Sequence, residues 1–511
     1  MRVSKFGKVI TIKCALAPLP DCRAAIRFFV ALLAIFGALA PMAQAETRPN
    51  IIVIMTDDQD ASSIEDMTRV YNQVAAAGTT FTNSFVSLSQ CCPSRATFLT
   101  GQYAHNHGVT NNGVDNPLTG GYAALDNTNT LAVWLKNSGY YTAMIGKYLN
   151  NYGLVDTNPS DGVPANKEIP PGWNYWIGAL DPYNYNNYRL NENGVIQYYN
   201  GTAASFLTDV EAKKADTFIR SRAGNPQPFF LWLTFTSPHA PTYGSTVAPR
   251  HAGIYAKMVP PRIPGYNEED TSDKPSFFQS LPRLEPFAST EYQTVHNSYR
   301  TQRESLMAVD EAVGKQIMKA LTDTAQAGNT VVIYTSDNGF FHGEHRITHG
   351  KGLPYEPGQR VPLIVKGPGL LGEQAVPEIV ANVDLAPTIV DLAQVPPQYV
   401  GRIMDGQSLV PLLKGQSIAW RTALLFESPS DADGNEILGE GSFPHPPFTA
   451  VRTPQFTYVE YNNGEQELYD MTKDPYQLEN QQGNPAYVLD KADLQAKLSR
   501  LQTCAGASCW E

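Results

Sequence analysis

Five apolar runs, each five to nine residues long, constrain the fold of this 511-residue chain more than any other feature. They cover residues 50–55, 141–145, 228–236, 330–335 and 360–366, and β-branched or aromatic side chains dominate them. Continuous apolar runs of this length are typical of parallel strands that are buried on both faces. The sequence therefore predicts a sheet at the centre of the molecule.

Helical periodicity is clearest in the segment before residue 330. Apolar side chains recur there at helical spacing, namely Leu306, Val309, Val313, Ile317 and Leu321. They predict a helix from about 305 to 327 that Gly328-Asn329 would end, and a second helix is predicted over 383–392. Strands that alternate with helices predict an α/β fold with a mostly parallel sheet and helices on both faces.

The pattern changes from about residue 420. Short strands are predicted over 422–427, 448–452, 456–461 and 465–469, with Asn462-Asn463-Gly464 as a turn, and a helix over 489–501. We expect a main α/β domain over 46–415 and a C-terminal subdomain over 416–511, built from a small antiparallel sheet with a helix.

The first 45 residues read as a signal peptide rather than as part of the fold. Six basic residues precede the apolar run 28–40, and Ala43-Gln44-Ala45 fits an A-x-A cleavage site. The run of 13 residues is shorter than the roughly 20 that a membrane-spanning helix needs, although an uncleaved anchor is the alternative. We therefore expect a secreted or periplasmic protein without a stable membrane anchor.

Removing the leader makes the chain more acidic. The whole chain has 38 basic and 49 acidic residues, and the leader holds six and one of them, which leaves a net charge of −16. Such a surface disfavours nucleic acid and anionic membranes as partners.

The run Cys91-Cys92-Pro93-Ser94-Arg95 combines parts that suit an anion site. Pro93 fits the first turn of a helix, which places both cysteines at the helix entrance, where free N–H groups favour an anion. Arg95 adds a fork of donors. The alternative is an ordinary helix start with two buried cysteines or a disulfide partner.

Two predicted strands end in oxygen-rich side chains. Asp57-Asp58 follows the run 50–55, and Asp337-Asn338 follows the run 330–335. Three carboxylates and an amide are hard ligands that suit Ca²⁺ or Mg²⁺. Either pair alone is more often a turn or a helix cap, but two such pairs after apolar strands favour a metal site.

The segment from Ser87 to Gly101, with its Cys91-Cys92-Pro93-Ser94-Arg95 core, resembles the signature of the type I, formylglycine-dependent sulfatases. The phrase Gly146-Lys147-Tyr148-Leu149-Asn150 is similar to the N-acetylglucosamine-6-sulfatase and secreted arylsulfatase branch. The resemblance implies an alkaline-phosphatase-like α/β fold over 46–415. It also implies that a formylglycine-generating enzyme oxidises Cys91 to formylglycine (3-oxoalanine), whose hydrate is the nucleophile.

The resemblance also assigns roles. One divalent ion, usually Ca²⁺ with Mg²⁺ as the alternative, would be held by Asp57, Asp58, Asp337, Asn338 and the modified Cys91. Lys147, Arg95 and Lys351 would stabilise charge on the sulfuryl oxygens, and His239 would protonate the leaving group. Outside this family, Lys147 and Lys351 would be read as solvated lysines and His239 as a packing histidine.

One position departs from the family pattern. Many sulfatases carry a histidine where this chain has Leu149, and Asn150 or His107 are the candidates to replace it near the substrate. His105 and His107 are also candidates to line the substrate pocket.

Two further segments allow more than one interpretation. His342, His345 and His349 are spaced like metal ligands, but the intervening glycine and arginine favour surface or pocket-lining positions. The Tyr- and Asn-rich segment 173–200 offers stacking faces for a sugar or aryl ring, or is a surface loop.

The sequence thus predicts a sulfuric ester hydrolase that releases sulfate from a sugar or aryl ester. The acidic chain favours a small or sparsely sulfated substrate over a densely sulfated polymer. A phosphatase or phosphonate monoester hydrolase of the same superfamily, and a non-catalytic anion- or glycan-binding homologue, are the alternatives. Cys504 and Cys509 are predicted to form a disulfide, with two free thiols as the alternative.

Overall fold

The predicted strands form the centre of a ten-stranded sheet in a computed structural model that describes residues 48–113, 120–242, 244–287, 289–428 and 444–511. The predicted leader, 1–45, lies outside these residues. The strands are β1 Asn50–Asp57, β2 Thr79–Phe85, β3 Tyr141–Gly146, β4 Tyr175–Ala179, β5 Asn187–Glu192, β6 Val195–Asn200, β7 Phe229–Pro238, β8 Thr330–Ser336, β9 Leu363–Lys366, β10 Gln374–Ala381, β11 Leu424–Ser428, β12 Phe448–Arg452, β13 Phe456–Tyr461 and β14 Gln466–Asp470. The α-helices are α1 Thr68–Gln73, α2 Cys91–Thr100, α3 Ala104–His107, α4 Leu131–Asn137, α5 Leu207–Ser221, α6 Ser276–Gln279, α7 Thr290–Glu311, α8 Lys319–Asp323, α9 Glu356–Gln359, α10 Leu385–Leu392, α11 Val410–Leu413 and α12 Val488–Leu501.

The large sheet is mixed but mostly parallel in its central part. Its strand order is β10-β2-β9-β8-β1-β7-β3-β4-β5-β6. β1 pairs in parallel with β7 and β8, and β3 pairs in parallel with β7 and β4. The run 360–366 was expected to be parallel, which is wrong, because β9 is antiparallel to both β8 and β2.

Helices cover both faces of this sheet, as predicted. Side chains of β1 alternate between two cores: Ile51 and Val53 pack into one, and Ile52 and Ile54 into the other. Residues of α2 and α10 fill the first core, and residues of α5 and α7 fill the second. Burial on both faces explains why β1 is apolar throughout.

The long helix differs from its prediction at both ends. α7 begins at Thr290, about fifteen residues before the predicted start, because the Ser289 side chain caps its N-terminus by accepting from the Tyr292 N–H. A π-helical segment, Ala312–Met318, joins α7 to α8. The helix ends at Asp323, and Ala325, with φ +57°, turns the chain before Gly328-Asn329.

The C-terminal strands form a separate four-stranded antiparallel sheet in the order β11-β12-β13-β14, as predicted. Leu494, Leu498 and Leu501 of α12 pack into its core. The predicted disulfide between Cys504 and Cys509 is present directly after this helix. Within the described part of the chain, no helix has both the length and the apolar composition that a membrane span requires.

Candidate active site

Four neighbouring strands of the large sheet bring the predicted site residues to one edge. The order β8-β1-β7-β3 places the carboxyl ends of these parallel strands side by side. Asp337, Asp57, His239 and Lys147 lie at or directly after these ends. Functional side chains of α/β sheets collect at this edge, and the prediction from the strand tips thus agrees with the geometry.

The two acidic tips contact each other and are fully buried. The Asp58 N–H donates to Asp337 Oδ1 at 3.3 Å, and Asn338 Nδ2 donates to Asp58 Oδ1 at 2.6 Å. Asp58 adopts a left-handed backbone conformation with φ +68°, which Asp tolerates better than most residues. This turn at the end of β1 directs Asp58 towards β8 while Asp57 stays in the strand.

Cys91 begins α2, as the position of Pro93 in the sequence predicted. Its side chain lies among the carboxylates of the two strand tips. Its Sγ lies 3.3 Å from Asp57 Oδ1 and 2.8 Å from Lys351 Nζ. Burial, and after it the charge of Asp57, raises the pKa of the Cys91 thiol. The thiol is therefore neutral and a poor nucleophile as it stands.

Three cations compensate the carboxylates. Lys147 Nζ donates to Asp57, and Lys351 Nζ donates to Asp58. Arg95 Nε donates to Asp337 Oδ2 at 2.7 Å, and both side chains are fully buried. Three carboxylates and three cations thus lie in direct contact.

The electrostatics favour the charged forms of Asp57, Lys147 and Lys351, whereas burial, and after it the charge of Asp57, raises the pKa of Asp337. Burial alone would raise the pKa of Asp57, but the charges of Lys147, His239 and Arg95 outweigh it and lower that pKa well below its usual range. The pKa of Lys147 is raised because the charge of Asp57 outweighs the desolvation of the amine. Lys351 shows the same effect beside Asp58.

The close approach of β3 to β7 explains why a glycine precedes Lys147. Gly146 ends β3 with φ +115°, and a Cβ there would lie 1.9 Å from the Thr234 carbonyl oxygen of β7. Only glycine fits this close approach. The Lys147 N–H donates to the same carbonyl at 3.0 Å, which fixes the backbone of Lys147 beside β7.

His239 lies at the rim of the cluster. Its Nε2 is 3.6 Å from Asp58 Oδ2, and its Nδ1 is 2.7 Å from the Ala240 carbonyl oxygen. The ring stacks on Tyr183 with centroids 4.4 Å apart. The imidazole is therefore held in one orientation with Nε2 towards the site.

The donor set fits a divalent cation. Ligand atoms of Asp57, Asp58, Cys91 and His239 lie within 4.8 Å of one another. Asn338 Oδ1 is buried and, within the described part of the chain, makes no hydrogen bond. Carboxylate and amide oxygens in this number are the ligands that Ca²⁺ and Mg²⁺ prefer. This donor set suits either ion.

The structure does not bring the remaining histidine candidates to this cluster. His107 Nε2 lies 3.1 Å from Thr97 Oγ1, and its Nδ1 accepts from the Val109 N–H, so both nitrogens are used within the fold. His105 contacts Glu427 and the Cys504 carbonyl oxygen. Both histidines serve packing around α3.

Of the two candidates to replace the family histidine, Asn150 is the one at the site. Its Nδ2 donates to the Tyr183 hydroxyl at 3.1 Å, and both residues line a cavity beside Lys147. Leu149 is buried in the core of the sheet. The spacing of His342, His345 and His349 produces no metal site among the described residues, because His345 pairs with Glu268 and His349 is exposed.

Tyr183 and Asn112 were not predicted individually. Tyr183 stacks on His239 and lies under the Lys147 ammonium, whose Nζ is 4.8 Å from the ring centroid. Asn112 Oδ1 accepts from the Cys92 N–H at 2.9 Å and so supports the start of α2. Tyr183 lies in the segment 173–200. The aromatic composition of that segment was the sequence feature that indicated a residue of this kind.

Comparison with known proteins agrees with this geometry. The sulfatase family model matches residues 49–395, and the model of the N-sulphoglucosamine sulphohydrolase C-terminal region matches 343–504. Human N-acetylglucosamine-6-sulfatase is 31% identical, with 96% of this chain and 91% of the relative covered. The Drosophila melanogaster extracellular sulfatase SULF-1 homologue is 34% identical over 77% of this chain and 34% of its own length.

Solved structures agree as well. A protein solved in complex with its substrate D-glucosamine-2-N,6-O-disulfate superposes with a TM-score of 0.72 at 25% identity, covering 89% of this chain and 97% of that one. The family match extends over more than half of the chain and includes Cys91 and both acidic strand tips. The chain therefore belongs to the sulfatase family and is a sulfuric ester hydrolase.

Proposed function

We propose that the buried cluster around Cys91 is the catalytic centre and that Cys91 works as formylglycine. The observation that carries this proposal is the position of the Cys91 side chain, which contacts both Asp57 and Lys351 at the start of α2. A neutral thiol is a poor nucleophile at this position, whereas a hydrated aldehyde supplies the nucleophilic hydroxyl. The proposed maturation requires a formylglycine-generating enzyme.

Asp57, Asp58, Asp337 and Asn338 would hold one divalent cation, for which we propose Ca²⁺. The bound ion would neutralise oxygens of the sulfate group and orient the nucleophile. Without an ion, the three carboxylates are matched in number by the cations of Arg95, Lys147 and Lys351. The added double positive charge would give the centre a net attraction for a sulfate ester and for the sulfate product.

The protein's own side chains supply the remaining functions. Lys147 and Lys351 are fixed beside Asp57 and Asp58 and present their ammonium groups to the sulfuryl oxygens, where charge develops in the transition state. His239 donates a proton to the leaving oxygen from Nε2, because Nδ1 is held by the Ala240 carbonyl. Asn150 and Tyr183 line the adjacent cavity and contact the bound ester.

We infer that the substrate is a sugar or aryl sulfate with one or few sulfate groups. The support is the similarity to a human N-acetylglucosamine-6-sulfatase and to a structure bound to a sulfated glucosamine. The basic and apolar leader, together with the similarity to an extracellular sulfatase, supports export to the periplasm or the medium.

The test combines mass spectrometry with matched variants. We expect the tryptic peptide that contains Cys91 to carry an aldehyde when the protein is produced with a formylglycine-generating enzyme, and Cys91→Ala to abolish turnover. The control is Cys92→Ala, which removes the neighbouring buried thiol but should keep aldehyde formation and activity. An unmodified Cys91 in an active preparation would contradict the proposal.

Metal and substrate class are tested on the same preparation. Chelation by EDTA should abolish turnover of an aryl sulfate, and added Ca²⁺ should restore it. Restoration by Mg²⁺ alone would reassign the ion. Preference for an aryl phosphate over the matching aryl sulfate would instead favour the phosphatase alternative.

A further inference from the structure

A second cavity lies next to the catalytic cluster and takes no part in the chemistry described above. Its volume is about 310 Å³, at the lower end of the roughly 300–1,000 Å³ of small-molecule sites. Asp60 and Phe340 line it, two residues after Asp58 and Asn338 respectively. Two residues span at most about 7 Å, so the wall of the cavity begins within that backbone distance of both acidic strand tips.

Two buried side chains in this cavity have unused hydrogen-bonding groups. His342 is 4% exposed, and neither ring nitrogen makes a hydrogen bond to any part of the described chain. Arg303 is 2% exposed, its Nη1 makes no hydrogen bond to a described residue, and its Nε has only a long ion-pair contact, 3.6 Å, with Asp66 Oδ2. Buried polar groups normally have partners, so these atoms point to a ligand.

The fold holds both groups in place. Arg303 Nη2 donates to Asp60 Oδ1 at 3.2 Å, and its guanidinium lies 4.6 Å from the Tyr299 ring centroid. His342 packs edge-on against Tyr299 with centroids 5.1 Å apart, and its Nε2 is 3.7 Å from Asp60 Oδ2. Donor and acceptor groups therefore lie next to each other in the lining of the cavity.

The charge of the cavity argues against a second anionic group. Its lining contains three carboxylates, from Asp60, Glu344 and Glu356, and two guanidinium groups, from Arg303 and Arg360. An additional sulfate would meet this acidic excess. Neighbouring acceptors and donors instead match vicinal hydroxyl groups, each of which both donates and accepts.

The remaining walls are aromatic and aliphatic. Phe340 and Tyr476 line the cavity, and Tyr476 is 38% exposed at its mouth. Aromatic side chains offer flat apolar faces to the C–H groups of a ring. A lining that combines polar groups with aromatic faces, such as Phe340 beside His342 with ring centroids 5.4 Å apart, fits a pyranose better than a flat aryl group.

We propose that this cavity binds a sugar ring of the substrate, with Arg303 and His342 contacting ring hydroxyls and with Phe340 and Tyr476 contacting its carbon face. The proposal rests on the proposed function and narrows it, because a simple aryl ester would leave the cavity empty. These residues are then determinants of specificity for glycan sulfates.

The test compares two substrates on the full chain with verified formylglycine and added Ca²⁺. The probes are N-acetylglucosamine 6-sulfate and 4-nitrophenyl sulfate. His342→Ala and Tyr476→Ala should each lower the ratio of kcat/KM for the sugar ester over the aryl ester about tenfold. The loss should lie in KM for the sugar ester, because these contacts bind substrate and transition state alike.

The matched control is Tyr399→Ala, because Tyr399 is also 38% exposed but does not line the cavity. Its substrate ratio should equal that of the wild type. An unchanged ratio in both cavity variants, or an equal shift in the control, would overturn the inference. So would a wild type that cleaves the aryl ester but no 6-sulfate of N-acetylglucosamine, glucose or galactose. Absence of both activities would contradict the proposed function itself.

Discussion

Arg95 connects three parts of the catalytic centre, and the conservative change Arg95→Lys tests that connection. Its Nε pairs with Asp337, and its Nη1 donates to the Lys147 carbonyl at 2.7 Å, to the Tyr148 carbonyl at 3.3 Å and to Thr234 Oγ1 at 2.6 Å. A lysine keeps the positive charge beside Asp337. It cannot keep the fork of donors that reaches β3 and β7.

The expected loss of stability follows from the acceptors that remain. At least two of the three neutral acceptors lose their donor, and a buried unsatisfied acceptor costs roughly 1–3 kcal/mol. Arg95→Lys should therefore lower the free energy of unfolding by roughly 2–6 kcal/mol. Because domains are typically stable by about 5–15 kcal/mol, this loss would remove a large part of the stability margin.

The assay is urea unfolding followed by tryptophan fluorescence, with EDTA in all samples so that metal binding does not contribute. The control is Arg421→Lys, since Arg421 forms a fully buried pair with Asp384 away from the cluster. Both variants should unfold at lower urea, but only Arg95→Lys should also reduce kcat, by tenfold or more. A stability within about 1 kcal/mol of the wild type, or an unchanged kcat, would refute the proposed role of Arg95.

The other predictions concern single groups. Lys351→Met removes a cation from the centre and should lower kcat for an aryl sulfate at least about 100-fold, whereas Met at the exposed Lys315 should have no effect. Burial lowers the pKa of His107 to about 3, so the unfolded chain, with a pKa near 6.5, binds a proton that the folded chain does not. Stability should therefore fall as the pH drops below 6.5, by up to about 1.4 kcal/mol per pH unit, and His107→Gln should give a shallower urea-midpoint profile; an equal slope would contradict this. The double variant Cys504→Ser with Cys509→Ser removes the disulfide and so opens a loop of sequence separation 5. It should lower the free energy of unfolding by about 2 kcal/mol in the same assay and leave the activity unchanged. A decrease above about 5 kcal/mol would show that the bridge does more than limit the conformations of the unfolded chain.

The central strands could be predicted because burial on both faces leaves a simple signal. β1, β7 and β8 are fully buried, and their apolar runs mark them directly. The peripheral strands lack this signal. Five of the seven residues of β2 are Thr, Asn or Ser, and β6 is mostly exposed, so neither was distinguishable from a loop. Strand direction has no local signature either, which is why the antiparallel β9 was predicted wrongly.

The site was more predictable than the fold around it, because its residues are carried by short motifs at strand and helix ends. Strand tips alone predicted that Asp57 and Asp337 would meet, and the Cys-Pro pair predicted the start of α2. The family resemblance was needed for Lys147, His239 and Lys351, since isolated lysines and histidines have no distinctive pattern. Tyr183 lies in the connection between β4 and β5, and no local pattern encodes the contact of that connection with Lys147.

The contrast between the net charge and the site explains how one acidic protein handles an anionic ester. The chain carries a net charge of −11, yet three cations meet inside one buried cluster. Because exposed charges are screened over about 10 Å while buried ones are not, the acidic surface affects long polyanions more than a single ester group that enters the centre. The second cavity adds hydroxyl-matching groups but no net positive charge. Both features favour a glycan with an isolated sulfate over a densely sulfated chain, since additional sulfates would face acidic protein surface and a cavity in which carboxylates outnumber guanidinium groups.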